Sequence, residues 1–545
     1  MSVIKIKSEF FNHDAQAGGF FPETHANQGI KIEKFVGDTG QNYLIEGIRG
    51  TGKTHILKMI NQWCLDNYQK NKVLPVYVSL AGVSEWIEKD MALFRMHLYA
   101  NIVVTTVGVI ENNKDKIDVK PSNGFTRAMK LISQMFGLSS DTSFENILSE
   151  IKNIHTALLN RLTYNSEHLL QKDSATTEQK ISGRATLQPL QLTFDDLYKT
   201  IEENEVKFVG RSLAHENASS FIIQFFNQLK EILNHKYTLI LLDECSEVSK
   251  DAQIEVFRLL KLIRGAFTQN PTENTAYFCA TVYPTPVTYY PSKLRGDSFN
   301  FDCGHDAIME YLHLDELSEE YLPFFQELTG KRYSKIHEKQ YNANSYLEIF
   351  ENERAFILAA YLSNGIVRRY IEILKHAYDN LCQRVGGAAS ADEKKISIRD
   401  IEEGVNVVVS NQILAQNKLL HEDFVVLDDI INRISRRNKK NETENKQKDK
   451  ENKLPSNVYF TVSRSELERL GRALIQGAVH DKGKTRLKKY HKEGGVRGAL
   501  LMLDLATAFY HGAIERTRAV EIFSNDLKQN AKSGYLWCQD FKLAE

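Results

Sequence analysis

The sequence predicts an α/β protein built on a parallel sheet, followed by a helical domain and a small C-terminal α+β domain. Three observations support this. Up to residue 317, short apolar strands alternate with amphipathic helices, which is the pattern of a parallel sheet covered by helices. Strand patterns then largely disappear, and helical periodicity replaces them. The remaining segment, residues 419–545, mixes strand and helix patterns with a cluster of basic residues.

The sheet domain is predicted for residues 41–317, after a loop-rich segment at residues 1–40. Its predicted strands are Tyr43–Glu46, Val73–Leu80, Tyr237–Leu242, Ala276–Val282 and Ile308–Leu314. Its predicted helices are Thr54–Tyr68, Met91–Ile110, Ser219–Leu233 and Ala252–Phe267. The sheet pattern stops at about 111–207. We interpret that stretch as an insertion, and it contains one predicted helix, Phe144–Leu162.

A helical domain is predicted for residues 318–418. Its predicted helices are Ser318–Leu328, Ser345–Leu362, Val367–Arg384 and Ile398–Asn417. The C-terminal domain, residues 419–545, is interpreted as winged-helix-like. Its charged tract, Asn432–Lys453, is poor in apolar residues and is predicted to be an exposed loop or linker. The rest of the domain is predicted to contain a strand at Val458–Val462, a helix at Arg464–Val479, a basic turn at His480–Arg497 and two further helices.

Composition limits the classes of function. The 545 residues include 69 Lys and Arg against 70 Asp and Glu, a net charge of −1, so a nucleic-acid surface must be a local patch. Six scattered cysteines form no Cys-x-x-Cys pair, which favours reduced thiols in a cytoplasmic protein. No apolar run approaches the roughly 20 residues that span a bilayer, and no secretory signal is apparent, so we expect no membrane partner.

The turn Gly47–Thr54 has the spacing G-x-x-x-x-G-K-[ST] and lies between an apolar strand and an amphipathic helix. Its glycines let successive backbone N–H groups point at phosphate oxygens, and the helix N-terminus favours an anion. Lys53 is predicted to reach the β- and γ-phosphates of ATP, and the Thr54 hydroxyl to bind Mg²⁺. The predicted nucleotide-binding residues here are Gly47, Arg49, Gly50, Thr51, Gly52, Lys53, Thr54 and His55.

A second anchor is predicted where the apolar strand Leu239–Leu242 ends in two acids. Asp243 is predicted to hold Mg²⁺, partly through water. Glu244 is placed to activate water for attack on the γ-phosphate as a general base. The alternative is that the two acids only cap a buried strand. The pair disfavours a small-molecule kinase, which needs no hydrolytic base.

Three more residues are predicted to act on the phosphates. The Thr281 hydroxyl, near the end of the next strand, would bond to the γ-phosphate or to the attacking water. Arg295, before the last strand, would stabilise charge on a neighbouring subunit's nucleotide. Arg368, in the first turn of a helix, would fold over the nucleotide. The alternatives are a β-branched strand residue, a plain surface arginine and a solvated basic helix face.

These motifs, in this order, resemble those of the AAA+ ATPases. The branch they look most like surrounds the origin-recognition and helicase-loader ATPases, with its bacterial relatives and the neighbouring STAND-type ATPases. Gly47–Thr54 is similar to Walker A, Leu239–Glu244 to Walker B and Gly365–Arg369 to sensor 2; Thr281 and Arg295 take the sensor-1 and arginine-finger positions. The resemblance implies ATP hydrolysis, a helical lid and assembly into a homo-oligomer. The long insertion and the threonine, where asparagine is common, depart from the family pattern.

In that branch a winged helix-turn-helix commonly follows the lid and binds DNA. The basic residues of the predicted turn are candidates to neutralise DNA phosphates: Lys482, Lys484, Arg486, Lys488, Lys489 and Lys492. The alternative is a solvated loop whose charge is balanced by nearby acids.

The sequence leaves two functions open. The first is an ATP-driven switch that acts on DNA, as in a replication-loader or transposition ATPase. The second is a STAND-like signalling ATPase that senses a protein trigger and assembles with an effector encoded nearby, as in bacterial anti-phage defence. No nuclease or protease motif is evident in the chain, so a toxic activity would belong to the partner.

Overall fold

The computed structural model describes residues 6–12, 20–26, 30–83, 88, 91–117, 218–265, 274–285, 287–385, 394–415, 419–448, 453–486, 497–527 and 536–537. The predicted helix Phe144–Leu162 and most of the predicted insertion lie outside these residues, as do Lys488, Lys489 and Lys492.

A five-stranded parallel sheet forms the first domain. Its strands are β1 (Tyr43–Glu46), β2 (Val73–Ser79), β3 (Tyr237–Asp243), β4 (Ala276–Val282) and β5 (Ile308–Tyr311). They lie in the order β2-β3-β4-β1-β5, with β1 paired in parallel to both β4 and β5. Because all strands run the same way, the carboxyl ends of β1, β3 and β4 meet at one edge, where ligands of such sheets usually bind.

Helices and two apolar clusters cover the two faces of this sheet. The helices are α1 (Lys53–Asp66), α2 (Tyr68–Asn71), α3 (Met91–Asn112), α4 (Lys114–Ile117), α5 (Ala218–Leu233) and α6 (Lys250–Gly265). Side chains of α1 pack on one face, and those of α3, α5 and α6 pack on the other. β3 and β4 are buried along their whole length, which explains their nearly continuous apolar sequences.

The described residues between β5 and residue 415 are largely helical. They contain α7 (Tyr321–Ile336), a 3₁₀ turn (Ser345–Glu348), α8 (Glu353–Leu362), α9 (Val367–Arg384) and α10 (Ile398–Val408), which continues as a π-helical turn, Val409–Ile413. The single helix predicted over Ser345–Leu362 is wrong. Asn352 is extended, and its side chain accepts the Ala355 N–H at 3.0 Å, so an N-cap starts a new helix there.

The C-terminal region is an α+β unit. Its helices are α11 (His421–Asn445), α12 (Arg464–Arg469), α13 (Gly471–Ile475), α14 (Leu505–Tyr510) and α15 (Ala519–Glu521), with a 3₁₀ turn at Arg516–Arg518 and a π-helical turn at Ile522–Asp526. Its strands are β6 (Tyr459–Val462), β7 (Val479–Arg486), β8 (Arg497–Leu503) and β9 (Leu536–Trp537), in the order β7-β8-β6-β9. β7 and β8 are antiparallel, so the predicted basic turn is a β-hairpin that includes strand residues on both sides.

Two local predictions in this region are wrong. The charged tract predicted as a loop at 432–453 is helical as far as Asn445. One face of that helix is held: Ile434 is buried, and the Asn438 side chain donates to the carbonyls of Asn457 and Ala513 at 3.0 and 2.8 Å. The helix predicted over Arg464–Val479 instead divides into α12 and α13, and β7 begins at Val479.

The helical lid and the C-terminal unit share one apolar core. Buried residues of α8 and α9 belong to the same cluster as β6, β8 and α14, and the rings of Tyr361 and Phe523 lie 5.6 Å apart. The predicted boundary at residue 418 is therefore a boundary in sequence but not in packing. In the part of the chain that the structure describes, no helix is both long and apolar enough to cross a membrane.

Candidate nucleotide-binding site

A cavity of ≈ 290 Å³ lies at the carboxyl edge of the sheet, between the sheet domain, the segment 20–26 and the lid. The predicted residues that line it are Arg49, Gly50, Gly52, Lys53, Thr54, His55, Asp243, Glu244, Thr281 and Arg368. Residues that lie far apart in sequence therefore converge on one site. Of the residues predicted to contact the nucleotide, Gly47 and Thr51 do not line the cavity but shape the loop.

The loop after β1 is folded by its glycines. Gly50 and Gly52 have φ of +87° and +97°, values that side chains on L-residues disfavour. At Gly47, a Cβ would lie 2.6 Å from Thr51 Oγ1, so a side chain there would clash inside the turn. Thr51 closes the turn, because its hydroxyl donates to the Ile48 carbonyl at 2.9 Å. This geometry directs the loop and the first turn of α1 toward the cavity.

Lys53 lies against the loop itself. Its Nζ donates to the carbonyls of Gly47 and Ile48 at 2.6 and 3.0 Å, and it lies 4.2 Å from the centre of the Tyr283 ring. Burial lowers the pKa of Lys53 to about 7, although Asp243 acts in the opposite direction. An anionic ligand in the cavity would favour the charged ammonium.

The two acids after β3 are held by their neighbours. Asp243 is fully buried, and its carboxylate accepts the Tyr77 hydroxyl at 2.9 Å and the Thr281 hydroxyl at 2.6 Å. Glu244 has a φ of +61°, which is rare for a residue other than glycine. Its N–H donates to Thr281 Oγ1 at 2.9 Å and to Asp243 Oδ1 at 3.0 Å, which fixes this conformation.

These contacts change the interpretation of Thr281. A hydroxyl has one proton to donate, and Thr281 donates it to Asp243. In this arrangement its proton is not available to a γ-phosphate, and the predicted bond to the attacking water stays a prediction. Thr281 instead holds both acids in place, while still lining the cavity.

The first turn of α9 contacts the loop after β1 directly. The Arg368 N–H donates to the Gly50 carbonyl at 3.0 Å, and a Cβ at Gly50 would lie 2.9 Å from Arg368 Cβ. Arg368 Nε is buried and has no hydrogen-bond partner among the described residues. A buried guanidinium N–H with no acceptor fits a site that takes an anionic ligand.

The donor set also fits a magnesium ion. The Thr54 hydroxyl and the Asp243 carboxylate both belong to residues that line the cavity. Hard oxygen ligands of this kind are what Mg²⁺ prefers in proteins.

The far end of the cavity was not predicted from the sequence, except for His55. Thr24, His25 and Ala26 of the segment 20–26 line it. The His25 and His55 rings are stacked with their centres 5.3 Å apart, and Phe20 lies 5.3 Å from His55. Burial lowers the pKa of His55 to about 3 and also lowers that of His25, so this aromatic wall is uncharged at neutral pH. No local motif in residues 20–26 indicates this role.

Arg295 lies outside the cavity, in an exposed 3₁₀ turn, Lys293–Arg295. Its guanidinium is 5.4 Å from the centre of the Tyr289 ring. The structure therefore does not bring Arg295 to the nucleotide site of its own chain, and its predicted action on a neighbouring subunit stays a prediction.

The basic hairpin is described only in part. Lys484 and Arg486 lie on β7, but the positions of their side chains are not described. Lys482 has a different role from the one predicted: its Nζ donates to Glu316 and lies 3.2 Å from His313 Nε2, and the Glu316 side chain is fully buried. This lysine joins the hairpin to the start of the lid and is not presented to solvent as a phosphate contact.

The structure is thus an α/β fold in which the loop after β1, the acids after β3 and the following helical region meet at one cavity on the carboxyl edge of a parallel sheet. No family model matches the sequence, and a search of curated proteins finds no significant match.

Among solved structures, the ORC2 protein of Aeropyrum pernix, in ADPNP–ADP complexes, is similar at 11% identity and a TM-score of 0.35, over 90% of this chain and 89% of that one. The Aeropyrum pernix ORC1 protein in complex with DNA is similar at 11% identity and a TM-score of 0.31, over 93% and 92%.

Proposed function

We propose that this protein is a Mg²⁺-dependent ATPase that works as a molecular switch and assembles with itself. The observation that supports it most is the convergence of Lys53, Asp243, Glu244 and Arg368 on one cavity, from the loop, the sheet edge and the lid. Lys53 is placed by the carbonyls of its own loop, whereas the acids and Arg368 are placed by contacts with residues distant in sequence. Together they supply cations for phosphate oxygens, a metal-binding carboxylate and a base.

The residues have distinct roles in this proposal. Lys53 and Arg368 bind the β- and γ-phosphates as charged donors. Thr54 and Asp243 would hold Mg²⁺, whose charge offsets that of the phosphates. Glu244 takes a proton from the attacking water. The uncharged wall of His25 and His55 offers a surface on which a nucleobase can stack.

The direct test is ATP turnover measured as phosphate release, with Mg²⁺ and with excess chelator. We expect hydrolysis by the wild type only with the metal, and a loss on the order of 10²–10⁴-fold in Glu244→Gln. Asp251→Asn is the matched control, since Asp251 is exposed in the first turn of α6 and does not line the cavity. Equal rates for the wild type and Glu244→Gln would exclude Glu244 as the base.

Self-assembly is proposed from the exposed turn Lys293–Arg295. Leu294 is 98% exposed between two cations, which suits a contact with another protein. A second copy of the chain would cover this turn and receive Arg295 at its nucleotide. Light scattering with and without ATP measures this assembly.

DNA binding is a second candidate function. It is favoured by the antiparallel hairpin of β7 and β8, which holds Lys484 and Arg486 on a strand at the edge of its sheet. Fluorescence anisotropy with labelled duplex DNA should give an affinity that falls with salt and falls further in the double variant Lys488→Ala, Lys489→Ala. The control removes two exposed cations from α11, Lys439→Ala with Lys440→Ala. An equal loss of DNA affinity in the two double variants would indicate nonspecific electrostatic attraction.

The alternative partner is an effector protein, in anti-phage defence or another signalling system. ATP-dependent assembly with a co-expressed neighbouring gene product, together with no salt-dependent DNA affinity, would favour it over the DNA-associated switch.

A further inference from the structure

The C-terminal unit meets the nucleotide site at one pair of neighbouring residues, Arg368 and Arg369. Successive residues of a helix point in directions about 100° apart. Arg368 accordingly lines the nucleotide cavity, whereas the Arg369 guanidinium points into the C-terminal unit. A single helical turn at the start of α9 therefore touches both places.

Arg369 is bound tightly on its side of the helix. Its guanidinium donates to Asp504 and, at 3.1 Å, to the Gly477 carbonyl. Both members of the ion pair are buried, with 6% of the Arg369 side chain exposed and none of Asp504. Such a pair holds its geometry strictly, because separating it would leave a buried charge without a partner.

The Asp504 carboxylate is held in place by other contacts besides the one with Arg369. One carboxylate oxygen, Oδ2, also contacts His480 Nε2 at 3.0 Å, while Oδ1 accepts the Thr507 N–H and hydroxyl at 2.8 and 2.9 Å. The same side chain therefore caps α14, binds the first part of β7 and neutralises the lid arginine. Burial opposes ionisation, but Arg369 and His480 outweigh it, and the pKa of Asp504 is lowered.

The phosphate-binding loop is part of the same junction. Gly477 has a φ of +67°, which disfavours a side chain, and a Cβ placed there would lie 2.7 Å from Arg369 Nη2 and in ordinary contact, at 3.6 Å, with Ile48 Cδ1. Arg368 in turn donates its N–H to Gly50. A cleft of ≈ 360 Å³ beside the cavity is lined by Arg49 and Arg368 together with Ile475 and Gln476 of the C-terminal unit.

A second buried link lies nearby. Glu316, between β5 and α7, accepts from Lys482 of the hairpin and, at 3.0 Å, from the Asn364 side chain. Asn364 also accepts the Leu505 N–H at 2.7 Å, directly after Asp504. The lid and the C-terminal unit are thus joined on both sides of α9's first turn.

We propose that Asp504 is a positioning residue of the nucleotide site. By holding Arg369, it sets the direction of the Arg368 side chain. The binding of a triphosphate and the position of the C-terminal unit against α9 are therefore coupled. The proposal rests on the proposed function, since it needs a nucleotide in the cavity. Coupling of this kind is reciprocal, so ATP must tighten the C-terminal unit by the same factor by which that unit tightens ATP. We expect Arg368 to contact the γ-phosphate. The affinity for ADP, which lacks that group, should therefore depend less on Asp504.

The test uses the full chain and titrates fluorescent ATP and ADP analogues into the wild type, Asp504→Asn and Asp526→Asn. Asn at position 504 keeps the shape and can still cap α14 but loses the charge. Asp526→Asn is the matched control, because Asp526 accepts the Ser456 N–H within the C-terminal unit and has no contact with the lid among its described hydrogen bonds. A parallel hydrogen-exchange measurement follows segment 471–486 with and without a non-hydrolysable ATP analogue.

We expect Asp504→Asn to weaken ATP about 5- to 150-fold, the usual range of such coupling, and to change ADP affinity much less. The ATP-dependent protection of segment 471–486 should also disappear, even at saturating nucleotide. Asp526→Asn should keep the wild-type ATP affinity and the ATP-dependent protection of segment 471–486. If Asp504→Asn is not folded by circular dichroism, Arg369→Lys, which keeps the buried positive charge and loses the forked donor, is measured in the same way.

The outcomes separate the two proposals. If the wild type binds neither nucleotide, the proposed function fails. If the wild type binds both, and the folded junction variant keeps the wild-type ratio of ATP to ADP affinity and the wild-type protection, the positioning role of Asp504 is overturned while the proposed function stands.

Discussion

Thr281 and Asp243 are joined by a hydrogen bond of 2.6 Å from the threonine hydroxyl to the carboxylate. The same hydroxyl accepts the N–H of Glu244, whose φ is +61°. A non-glycine residue in that conformation costs on the order of 1–3 kcal/mol and persists only where its surroundings hold it. Thr281 is therefore the residue that keeps the two acids in the orientation the proposed chemistry needs.

Thr281→Val should slow ATP hydrolysis at least about tenfold, as expected when an acid or base is displaced, with a smaller effect on ATP affinity. The free energy of unfolding should fall by about 1–3 kcal/mol, because the buried Asp243 carboxylate loses a donor and the Glu244 N–H loses one of its two acceptors. Turnover, nucleotide titration and urea unfolding measure the three quantities. Thr238→Val is the control, since Thr238 is equally buried at the other end of β3 and contacts His235. Wild-type turnover in Thr281→Val would refute this role.

The pH dependence of stability should report Lys53. Its pKa is about 7 in the folded protein, because of burial, against an ordinary value of 10.5. Between pH 7 and 10.5 the unfolded chain thus binds a proton at Lys53 that the folded chain does not, so this residue makes stability rise with pH. In urea unfolding without nucleotide, the free energy of unfolding of the wild type should rise relative to that of Lys53→Met by up to about 1.4 kcal/mol per pH unit between pH 7 and 9. Parallel pH profiles would contradict the lowered pKa.

Arg295→Ala tests action across a subunit interface. The variant should still bind ATP, because Arg295 lies outside the cavity of its own chain, but it should hydrolyse ATP poorly. Adding Lys53→Ala protein should restore part of the activity, since that protein supplies Arg295 to an intact pocket. Fingers of this kind contribute on the order of 10³–10⁵ in rate. Lys293→Ala, in the same exposed turn, is the control.

Full activity of Arg295→Ala alone, or a specific activity independent of protein concentration with only monomers present, would remove the assignment. Loss of activity in Lys293→Ala instead would transfer the role to Lys293.

The elements that could be predicted best are those with local signals at both ends. β1, β4 and α9 have the predicted bounds, because glycine or polar residues lie within two residues of each end of a clear apolar pattern. The charged tract after residue 432 could not be predicted as a helix from composition, since the contacts of Asn438 with Asn457 and Ala513 come from distant parts of the chain.

The residues of the candidate site likewise differ in how well the sequence predicts them. The Gly47–Thr54 turn and the Asp243–Glu244 pair are motifs of adjacent residues, and both appear at the cavity. Tyr77, His25 and Arg369 could not be assigned their partners, because each acts on a residue that is distant in sequence. In particular, the two arginines at the start of α9 are adjacent in sequence, and only the fold separates the one at the cavity from the one that binds Asp504.

The most direct test of the central claim is a calorimetric titration of Mg²⁺-ATP into the wild-type protein and Lys53→Ala. The account predicts saturable binding at one site per chain in the wild type and none in Lys53→Ala at the same concentrations, because the phosphates lose their main cation. Circular dichroism spectra of the two proteins should match. Equal ATP affinity in the two proteins would contradict the assignment of the cavity at the end of β1 as the nucleotide site.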